Sequence, residues 1–424
     1  MLKKKKSMYN ITKSIKKDFN FIFNTCSSAV LVLDDAEFLQ YVDLEFSNDE
    51  LFSTLCNNGV LVDADELEFE KLLVLQKMKY LSFTGYVNYQ ILPTTFCNAK
   101  CYYCYEKDCI AEHMDFDTVM ATCAFIKKNS KNDNKIGITW YGGEPLVRKD
   151  IIYYISENLI KFCAKEGKEF ESSIITNGYL IDEEVIEQFR RINLKKAQLS
   201  FDGYGSVYNE VKQISPDAFF VAIRSIEILL KNNIDVVLRL NIDKNNHSSI
   251  LELIDFFKDR IGNAKGFTIY PALIYLNNDN LPDMIIRPKE AQEYFKPVYE
   301  KLISFGYISN INSLNFNFTD STCSAVYFNA FSISPTGEIY KCQHYIGDKS
   351  EIVGNVKDGL VFNTTYYKWC DPKIAEECVD CAIFPMCQGG CRACEEKNFS
   401  LGRCNGKRYL IDLFLDLIQK INKF

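Results

Sequence analysis

Three closely spaced cysteines are the residues of this 424-residue chain best suited to do chemistry. Cys97, Cys101 and Cys104 follow an apolar, strand-like run at residues 86–92 and are separated by three and two residues. This spacing lets one short loop direct three thiolates at a single soft metal centre. Iron–sulfur clusters are normally held by cysteine thiolates, four of which complete a [4Fe–4S] cube. Because Cys109 lies beyond the loop, one iron would stay open to an outside molecule.

A structural zinc site is the alternative for these cysteines. Zinc in that role takes four ligands at compact pairwise spacing, whereas the loop supplies three. The pattern therefore favours iron–sulfur chemistry over zinc.

The spacing, with an aromatic residue before the third cysteine, resembles the CxxxCxxC loop of the radical S-adenosylmethionine (SAM) enzymes. The resemblance implies that Cys97, Cys101 and Cys104 hold a catalytic [4Fe–4S] cluster. It also implies that the amino and carboxylate groups of SAM chelate the open iron. The reduced cluster would then cleave SAM to a 5′-deoxyadenosyl radical.

Strand-like and helical patterns alternate between residues 85 and 305, which predicts an α/β fold with a parallel sheet. The predicted strands are 86–92, 136–141, 170–176, 197–201, 236–241 and 267–270, and the predicted helices are 116–128, 151–165, 182–192, 217–231 and 248–261. A complete TIM barrel needs eight strands, so six predict a partial, TIM-like (β/α)6 barrel. The order and size resemble the radical SAM core.

The carboxyl end of the second predicted strand carries a Gly-Gly-Glu-Pro sequence. Glycines let a backbone approach a ligand closely, and a carboxylate beside them can accept from an ammonium group. The sequence resembles the GGEP motif that holds the SAM amino group in the family, which assigns Gly142, Gly143, Glu144 and Pro145 to SAM binding.

Polar residues also follow the third and fourth predicted strands, where ligands of α/β sheets bind. Asn177, Ser200 and Asp202 resemble the strand-end residues that reach the SAM ribose and carboxylate, although simple turns would explain them too. Arg239 lies within an otherwise apolar strand and needs an anion, either the SAM carboxylate or a structural salt-bridge partner.

The C-terminal region is dense in cysteine. Cys323 is followed after thirteen residues by Gly337, and Cys342 comes after four more. A later group of four cysteines has spacings of two, five and three residues, and one more cysteine follows a gap: Cys378, Cys381, Cys387, Cys391 and Cys404. The order resembles the SPASM extension of radical SAM enzymes. A zinc ribbon would explain only the downstream pairs.

The resemblance assigns these cysteines to two auxiliary [4Fe–4S] clusters. The outer cluster takes Cys378, Cys381, Cys387 and Cys404, and the inner one takes Cys323, Cys342 and Cys391. With the first cluster, this makes three. Some relatives supply a further inner ligand upstream, but residues 312–322 contain no cysteine. An open inner iron could hold a substrate thiolate, and Cys394 is either a stray ligand or a substitute for Cys404.

The chain divides into three predicted units. Residues 1–84 form a small N-terminal α+β unit with a hairpin-like segment at 19–34, a capped helix from Asn48 and a helix at 66–79. This unit is either a winged-helix-like peptide-docking module or an extension packed on the catalytic domain. Residues 85–305 form the radical SAM core. Residues 306–424 form the SPASM domain, which ends in an amphipathic helix at 407–420.

Composition and charge limit the kinds of partner that we expect the protein to bind. A net charge of −7 and a pI near 5.3 disfavour nucleic acid, and no apolar stretch is long enough for a membrane span. The basic run at residues 3–6 is not followed by an apolar segment, so we expect no signal peptide and a cytoplasmic protein. Seventeen cysteines in a reducing compartment indicate metal ligands more than disulfides, while only three histidines disfavour a histidine metal site.

SPASM enzymes mostly act on peptides or proteins, so the resemblance predicts a peptide maturase. One form is a maturase of ribosomally made peptides, which abstracts hydrogen and installs a crosslink such as a thioether. Its partners would be a cysteine-rich peptide with a leader, and an external electron donor such as flavodoxin or ferredoxin.

Two alternatives remain. The first is an anaerobic sulfatase maturase that forms formylglycine. Those enzymes place an aspartate base directly after the cysteine of the GX4C pattern. This chain has Gln343 there, and glutamine cannot accept a proton in that role. The second is a non-catalytic iron–sulfur electron carrier or zinc scaffold, which would not need the Gly-Gly-Glu-Pro sequence.

Overall fold

The computed structural model describes residues 3–16, 19–82, 85–106, 110–274, 276, 281–314, 323–371, 373–404 and 407–422. Cys109 and most of the cysteine-free stretch 312–322 lie outside these residues.

The N-terminal unit is a mixed α/β assembly. Its elements are β1 (Lys4–Lys6), β2 (Asn10–Lys16), β3 (Phe19–Asn24), β4 (Val30–Asp34), α1 (Asp35–Asp43), α2 (Asp49–Asn57), β5 (Leu61–Asp63) and α3 (Glu68–Leu81). Strands β2, β3 and β4 form an antiparallel sheet, and β1 pairs with β5. The predicted hairpin is the β3–β4 pair. Asn48 caps α2 as predicted, because its side chain accepts from Leu51 N at 2.8 Å.

The central unit alternates strands and helices. Its elements are β6 (Tyr86–Ile91), α4 (Phe116–Asn129), β7 (Lys135–Trp140), α5 (Lys149–Glu166), β8 (Glu169–Thr176), α6 (Glu183–Arg191), β9 (Leu194–Phe201), α7 (Ser206–Lys212), α8 (Ala218–Lys231), β10 (Asp235–Ile242), α9 (His247–Arg260), β11 (Phe267–Leu273) and α10 (Ala291–Ser304). Strands β6 to β11 lie side by side in chain order, and every neighbouring pair is parallel. This confirms the predicted α/β class and the partial (β/α)6 arrangement.

The two faces of this sheet differ in polarity. On β10, Val236, Leu238 and Leu240 are fully buried, whereas Arg239 between them is only partly buried. Ser200 on β9 is the register partner of Arg239 and lies on the same half-exposed face. One face therefore packs against the apolar sides of the helices, and the other carries the polar side chains that a ligand would meet.

The C-terminal region continues the central sheet. Its elements are β12 (Ala330–Ile333), β13 (Glu338–Tyr340), β14 (Gly354–Asn355), β15 (Gly359–Leu360), α11 (Thr364–Cys370), α12 (Phe384–Cys387), α13 (Arg392–Glu396) and α14 (Lys407–Asn422). β12 pairs in parallel with β6, and β13, β14 and β15 follow as antiparallel strands. The sheet thus runs across the expected boundary at residue 305.

The N-terminal unit packs on the C-terminal region. The rings of Phe23 and Phe414 lie 5.5 Å apart, and those of Phe69 and Phe384 lie 5.0 Å apart. Tyr80 also donates a hydrogen bond to Gln388 Oε1 at 3.0 Å. Within the part of the chain that the structure describes, no helix is long and apolar enough to cross a membrane.

Candidate active site and auxiliary metal centres

The cysteine loop leaves β6 at the carboxyl edge of the sheet and is held by its own backbone and threonines. Thr94 Oγ1 donates to Glu112 O at 2.8 Å, and Thr95 Oγ1 donates to Ile110 O at 2.7 Å. Lys100 N donates to Lys212 O at 2.8 Å. These bonds fix both arms of the loop and aim its cysteines toward the ends of the neighbouring strands.

The structure brings Cys97, Cys101 and Cys104 together. Burial raises the pKa of the Cys97 thiol to about 12, and the charges of the other two cysteines raise it further. The pKa of Cys104 rises to about 11, again mainly because of burial. Three half-buried thiols that resist ionisation fit an electrophilic iron centre, since coordination would stabilise all three thiolates.

A single bound ion does not fit as well. Among the described residues, no three His, Cys, Asp or Glu side chains lie close enough to hold one metal ion. A tetrahedral zinc would need its sulfur ligands within about 2.3 Å of the metal. The described side chains thus form no preassembled site for a single zinc ion.

The two glycines of the Gly-Gly-Glu-Pro sequence let β7 end directly against the cysteine loop. A Cβ on Gly142 would lie 2.3 Å from Thr94 O, and one on Gly143 would lie 2.3 Å from Phe96 O. Glu144 N donates to Phe96 O at 2.8 Å, which ties the two loops together. Side chains other than hydrogen would force these loops apart.

Glu144 turns inward instead of toward the half-exposed face. Its carboxylate is fully buried and accepts from Thr176 Oγ1 at 2.7 Å, Asn177 N at 2.8 Å and Leu146 N at 3.0 Å. Burial raises its pKa, and these hydrogen bonds oppose the rise. The side chain therefore holds the end of β8 in place, and its contact with the SAM ammonium stays a prediction. Pro145 begins the short turn that follows.

Asn177 lies where the third predicted strand ends. Its side-chain nitrogen donates to Asn98 Oδ1 at 2.7 Å, inside the cysteine loop, and its Oδ1 accepts from Tyr179 N at 2.9 Å. The residue thus joins the end of β8 to the segment between the first two cysteines.

A buried ion pair lies under the cysteine loop. Lys212 Nζ is 3.0 Å from Asp202 Oδ2, and their side chains are 3% and 0% exposed. Lys212 also donates to Ser200 Oγ at 2.9 Å. Burial opposes its charge, but Asp202 and then Cys101 raise its pKa well above the ordinary value. Two of the predicted SAM-binding residues are thereby engaged with a lysine that the sequence did not single out.

Aromatic hydroxyls of the cysteine loop complete this network. Tyr103 OH donates to Asp202 Oδ1 at 2.6 Å and accepts from Asn241 Nδ2 at 2.9 Å, while Tyr102 OH donates to Asp243. Lys212, Asn241 and Asp243 were missed from the sequence because they lie on separate elements and form no local motif. The only hint was the pair of tyrosines between the second and third cysteines.

Arg239 forms hydrogen bonds near the carboxyl ends of β10 and β11. Its Nε donates to Asn241 Oδ1 at 2.9 Å and Nη2 to Leu273 O at 3.4 Å. Burial lowers the pKa of the His344 imidazole in the C-terminal region, and the charges of Lys397 and then Arg239 lower it further.

The segment after Cys342 lies against the cysteine loop. The rings of Tyr105 and His344 are 4.4 Å apart, and Tyr105 OH lies 2.6 Å from Tyr141 OH. The C-terminal region therefore reaches the edge of the site through the residues next to Gln343, which is itself partly exposed.

The auxiliary cysteines form two groups. All four predicted outer ligands line one small recess beside Arg403 and Arg408: Cys378, Cys381, Cys387 and Cys404. The three predicted inner ligands line a cavity of about 580 Å³: Cys323, Cys342 and Cys391. Cys387 and Cys404 of the outer group also line the larger cavity, so the two groups of cysteines adjoin. Thiolates are the donor set that iron–sulfur clusters require.

Comparison with known proteins identifies the class. Residues 91–257 match the Radical SAM superfamily. The chain therefore contains a radical SAM domain, which is followed by a cysteine-rich C-terminal region. Enzymes with this domain use SAM and a [4Fe–4S] cluster.

Sulfatase-maturating enzymes are among the proteins that resemble most of the chain. A cysteine-type anaerobic sulfatase-maturating enzyme of Clostridium novyi is 23% identical over 332 residues, covering 72% of this chain and 87% of the relative. The structure of anSMEcpe with AdoMet and the Cp18Cys peptide aligns with a TM-score of 0.63 at 20% identity, covering 79% of this chain and 99% of that one. The structure of Streptococcus suis SuiB with its precursor peptide SuiA aligns with a TM-score of 0.54 at 15% identity, covering 93% and 97%.

Proposed function

We propose that this protein is a polypeptide maturase that abstracts hydrogen from a side chain of a peptide or protein substrate. The bound SAM and its cluster would supply the radical, and this chain positions the substrate and excludes water. The observation that carries the proposal is the contact between the His344 segment and Tyr105, because it joins the SPASM-type region to the edge of the SAM site. A separate electron carrier would not need this junction.

We propose that Cys97, Cys101 and Cys104 hold the SAM-binding cluster and that the backbone of Gly142 and Gly143 forms part of the SAM site. Asn177, Ser200, Asp202 and Arg239 would shape that site, mostly through the buried hydrogen bonds described above. An external electron donor such as flavodoxin or ferredoxin would supply the reducing electron.

Oxidation of a cysteine or serine, as the sulfatase-maturating relatives do, is the finer activity that the comparisons favour over a thioether crosslink. The alignments of two sulfatase-maturating enzymes with this chain each span 87% of the relative's length. The chain has Gln343 where those enzymes have an aspartate base. This difference argues against the oxidation, because another group would have to accept the proton.

Crosslinking of a ribosomally made peptide is the second candidate. SuiB matches 93% of this chain, whereas anSMEcpe matches 79%, so SuiB resembles a larger part of the protein. The N-terminal unit could bind a leader peptide along β4, which among the described strands pairs only with β3.

Anaerobic assays separate these activities. The reconstituted protein, SAM and dithionite should yield 5′-deoxyadenosine, and failure to form it would overturn the enzyme assignment. A sulfatase-derived peptide with its target cysteine should then gain an aldehyde in place of the thiol. If instead a cysteine-rich peptide encoded beside the gene loses a pair of hydrogens, the crosslinking reaction is correct.

A further inference from the structure

We propose that Tyr80 of the N-terminal unit is a positioning residue for both auxiliary clusters, because its hydroxyl holds the turn that separates Cys387 from Cys391. The proposal rests on the assignment of these two cysteines to different auxiliary clusters, and it holds whichever peptide is modified. It gives the N-terminal unit a role beyond the docking of a peptide, since the unit helps to hold the metal centres of the C-terminal region.

The turn between these two cysteines has an uncommon backbone conformation. Gln388, Gly389 and Gly390 follow one another with φ of +54°, +86° and +82°. Residues with a side chain rarely adopt this left-handed region, whereas glycine occupies it at no steric cost. Two of the three positions carry glycine, so the glutamine at the first position needs an explanation.

The hydroxyl of Tyr80 supplies that explanation. It donates to Gln388 Oε1 at 3.0 Å, although the two residues lie 308 positions apart in the chain. Tyr80 is only 3% exposed, and both residues line the cavity that Cys391 also lines. Buried polar groups are almost always hydrogen-bonded, and removing one partner leaves the other unsatisfied. The bond therefore holds the Gln388 side chain, and with it the turn, in one position.

The two ends of α3 contact the same short segment of the C-terminal region. Near the start of α3, the ring of Phe69 lies 5.0 Å from that of Phe384, which begins α12, and Cys387 ends α12. Near the end of α3, the backbone carbonyl of Tyr80 accepts from Phe328 N at 2.9 Å, beside the contact with the turn. The N-terminal unit therefore supports α12 at its first residue and the turn that follows its last one.

The turn matters because it joins a predicted ligand of the outer cluster to one of the inner cluster. Cys387 and Cys391 both line the larger cavity, and Cys387 also lines the recess of the outer group. Metal ligands that are oriented by partners outside the coordination sphere bind their metal more tightly than unsupported ligands do. Release of the turn therefore weakens the hold on both auxiliary clusters at once.

The test uses the full chain with the three cysteines of the cysteine loop replaced by alanine, so that only auxiliary clusters remain. The rate at which a chelator extracts iron under anaerobic conditions measures how firmly these clusters are held. Tyr80→Phe removes the hydroxyl and keeps the ring, so iron release should become about fivefold faster, as expected for one lost hydrogen bond. Tyr41→Phe is the matched control, because Tyr41 is 4% exposed and its hydroxyl accepts from Asn10 within the N-terminal unit. Its rate should not change.

Gln388→Gly distinguishes positioning of the turn from packing of the N-terminal unit. Glycine removes the acceptor of the Tyr80 hydroxyl, yet it keeps the left-handed backbone without strain. In the Gln388→Gly background, Tyr80→Phe should therefore cause no further acceleration of iron release. If Tyr80→Phe assembles too little cluster for a rate, the iron content is compared instead, and adding Gln388→Gly should restore it toward about eight per chain.

Two results would overturn the proposal. In one, Tyr80→Phe and Tyr41→Phe release iron at the same rate. In the other, Tyr80→Phe has the same effect on iron with glutamine and with glycine at position 388. The iron content before the chelator is added, about eight per chain, tests the presence of two auxiliary clusters by itself. None of these measurements depends on SAM cleavage, so a failure of the proposed function is seen separately in the 5′-deoxyadenosine assay.

Discussion

Lys212 is the residue on which the strand ends and the cysteine loop converge. It contacts Asp202, Ser200 and Tyr103, and its backbone carbonyl accepts from Lys100 N in the loop. A buried ion pair of this kind adds little net stability over apolar packing, but removing one partner leaves an uncompensated charge. The ion pair between Lys212 and Asp202 therefore mainly fixes the position of the cysteine loop.

Replacing Lys212 by methionine should destabilise the protein by about 3–5 kcal/mol, because the Asp202 carboxylate would remain buried without its cation. The free energy of unfolding from urea titration measures the change. Lys301→Met removes a more exposed ion pair, with Asp255, and should cost less than about 1 kcal/mol. Adding Asp202→Asn to Lys212→Met should recover part of the loss, and no recovery would contradict the pairing.

Glu144→Gln should weaken SAM binding by loosening the end of β8, which the Glu144 carboxylate holds. Glutamine keeps the shape but offers one acceptor oxygen in place of two, so at least one of the three donors at Glu144 is left unpaired. We expect a cost of about 1–3 kcal/mol in urea and a lower SAM affinity by equilibrium binding. Glu171→Gln on β8 weakens a half-exposed pair with Lys135 and should leave SAM affinity unchanged. Equal effects of the two variants would show that Glu144 does not position the site.

Residues in local motifs could be predicted from the sequence, and residues that act across elements could not. The three cysteines, the two glycines and Glu144 stand in short runs whose spacing has chemical meaning. Lys212 and Asn241 have no such signal, since they meet Asp202 only when α7, β9 and β10 are assembled. The inward direction of Glu144 also depends on its partners at the end of β8.

At the scale of elements, the contact between the end of β7 and the cysteine loop leaves no room for one added methyl group. Gly143→Ala would place a methyl group 2.3 Å from Phe96 O and 2.5 Å from Thr95 O, both backbone atoms that cannot rotate away. The loop must shift, so we expect at least a tenfold loss of SAM affinity and a low iron content after reconstitution. Iron analysis and SAM binding measure the two effects.

The control for this variant is Gly167→Ala at the end of α5. Gly167 has φ +66° with no atom near its added methyl, so alanine there introduces only local backbone strain. It should cost stability and leave iron content and SAM affinity intact. Normal cluster assembly in Gly143→Ala would show that the loops are not held by this approach.

Most elements of the core could be predicted because their patterns are local. Each of the six predicted strands lies within three residues of an observed strand boundary, and the five helices agree equally well. The pairing of β12 with β6 could not be predicted, because these strands are separated by more than two hundred residues and β12 has only four. Short strands carry little periodicity, and long-range pairing leaves no trace in spacing.

At the scale of the whole molecule, one apolar core joins all three predicted units. It includes Phe21 and Phe23 of the N-terminal sheet, the helices and strands of the barrel, and Leu413 and Phe414 of α14. The N-terminal unit is thus packed on the rest of the chain, whether or not it also binds a peptide. Of the auxiliary cysteines, Cys378 packs with Tyr9 of the N-terminal unit and with Phe384.

This arrangement predicts that SAM cleavage and peptide modification can be separated by mutation. The outer recess is lined by residues 377–408 of the C-terminal region and by none of the cysteine loop. Cys387→Ala should therefore retain SAM cleavage to 5′-deoxyadenosine at a rate within about threefold of the unaltered protein. Modification of the peptide should be lost, because the auxiliary clusters are proposed to carry the electron away from the substrate radical.

The measurement compares 5′-deoxyadenosine with modified peptide in the same anaerobic reaction. Cys370→Ala, a buried cysteine of the same region outside both cluster groups, should preserve the ratio of the two products. Loss of 5′-deoxyadenosine in Cys387→Ala alone would mean that the outer group supports the SAM site itself. Full peptide modification in that variant would mean that the outer group has no part in the reaction. Only cleavage without modification fits a molecule whose radical site lies at the strand ends of the sheet and whose electron acceptor lies in the short helices and turns that follow it.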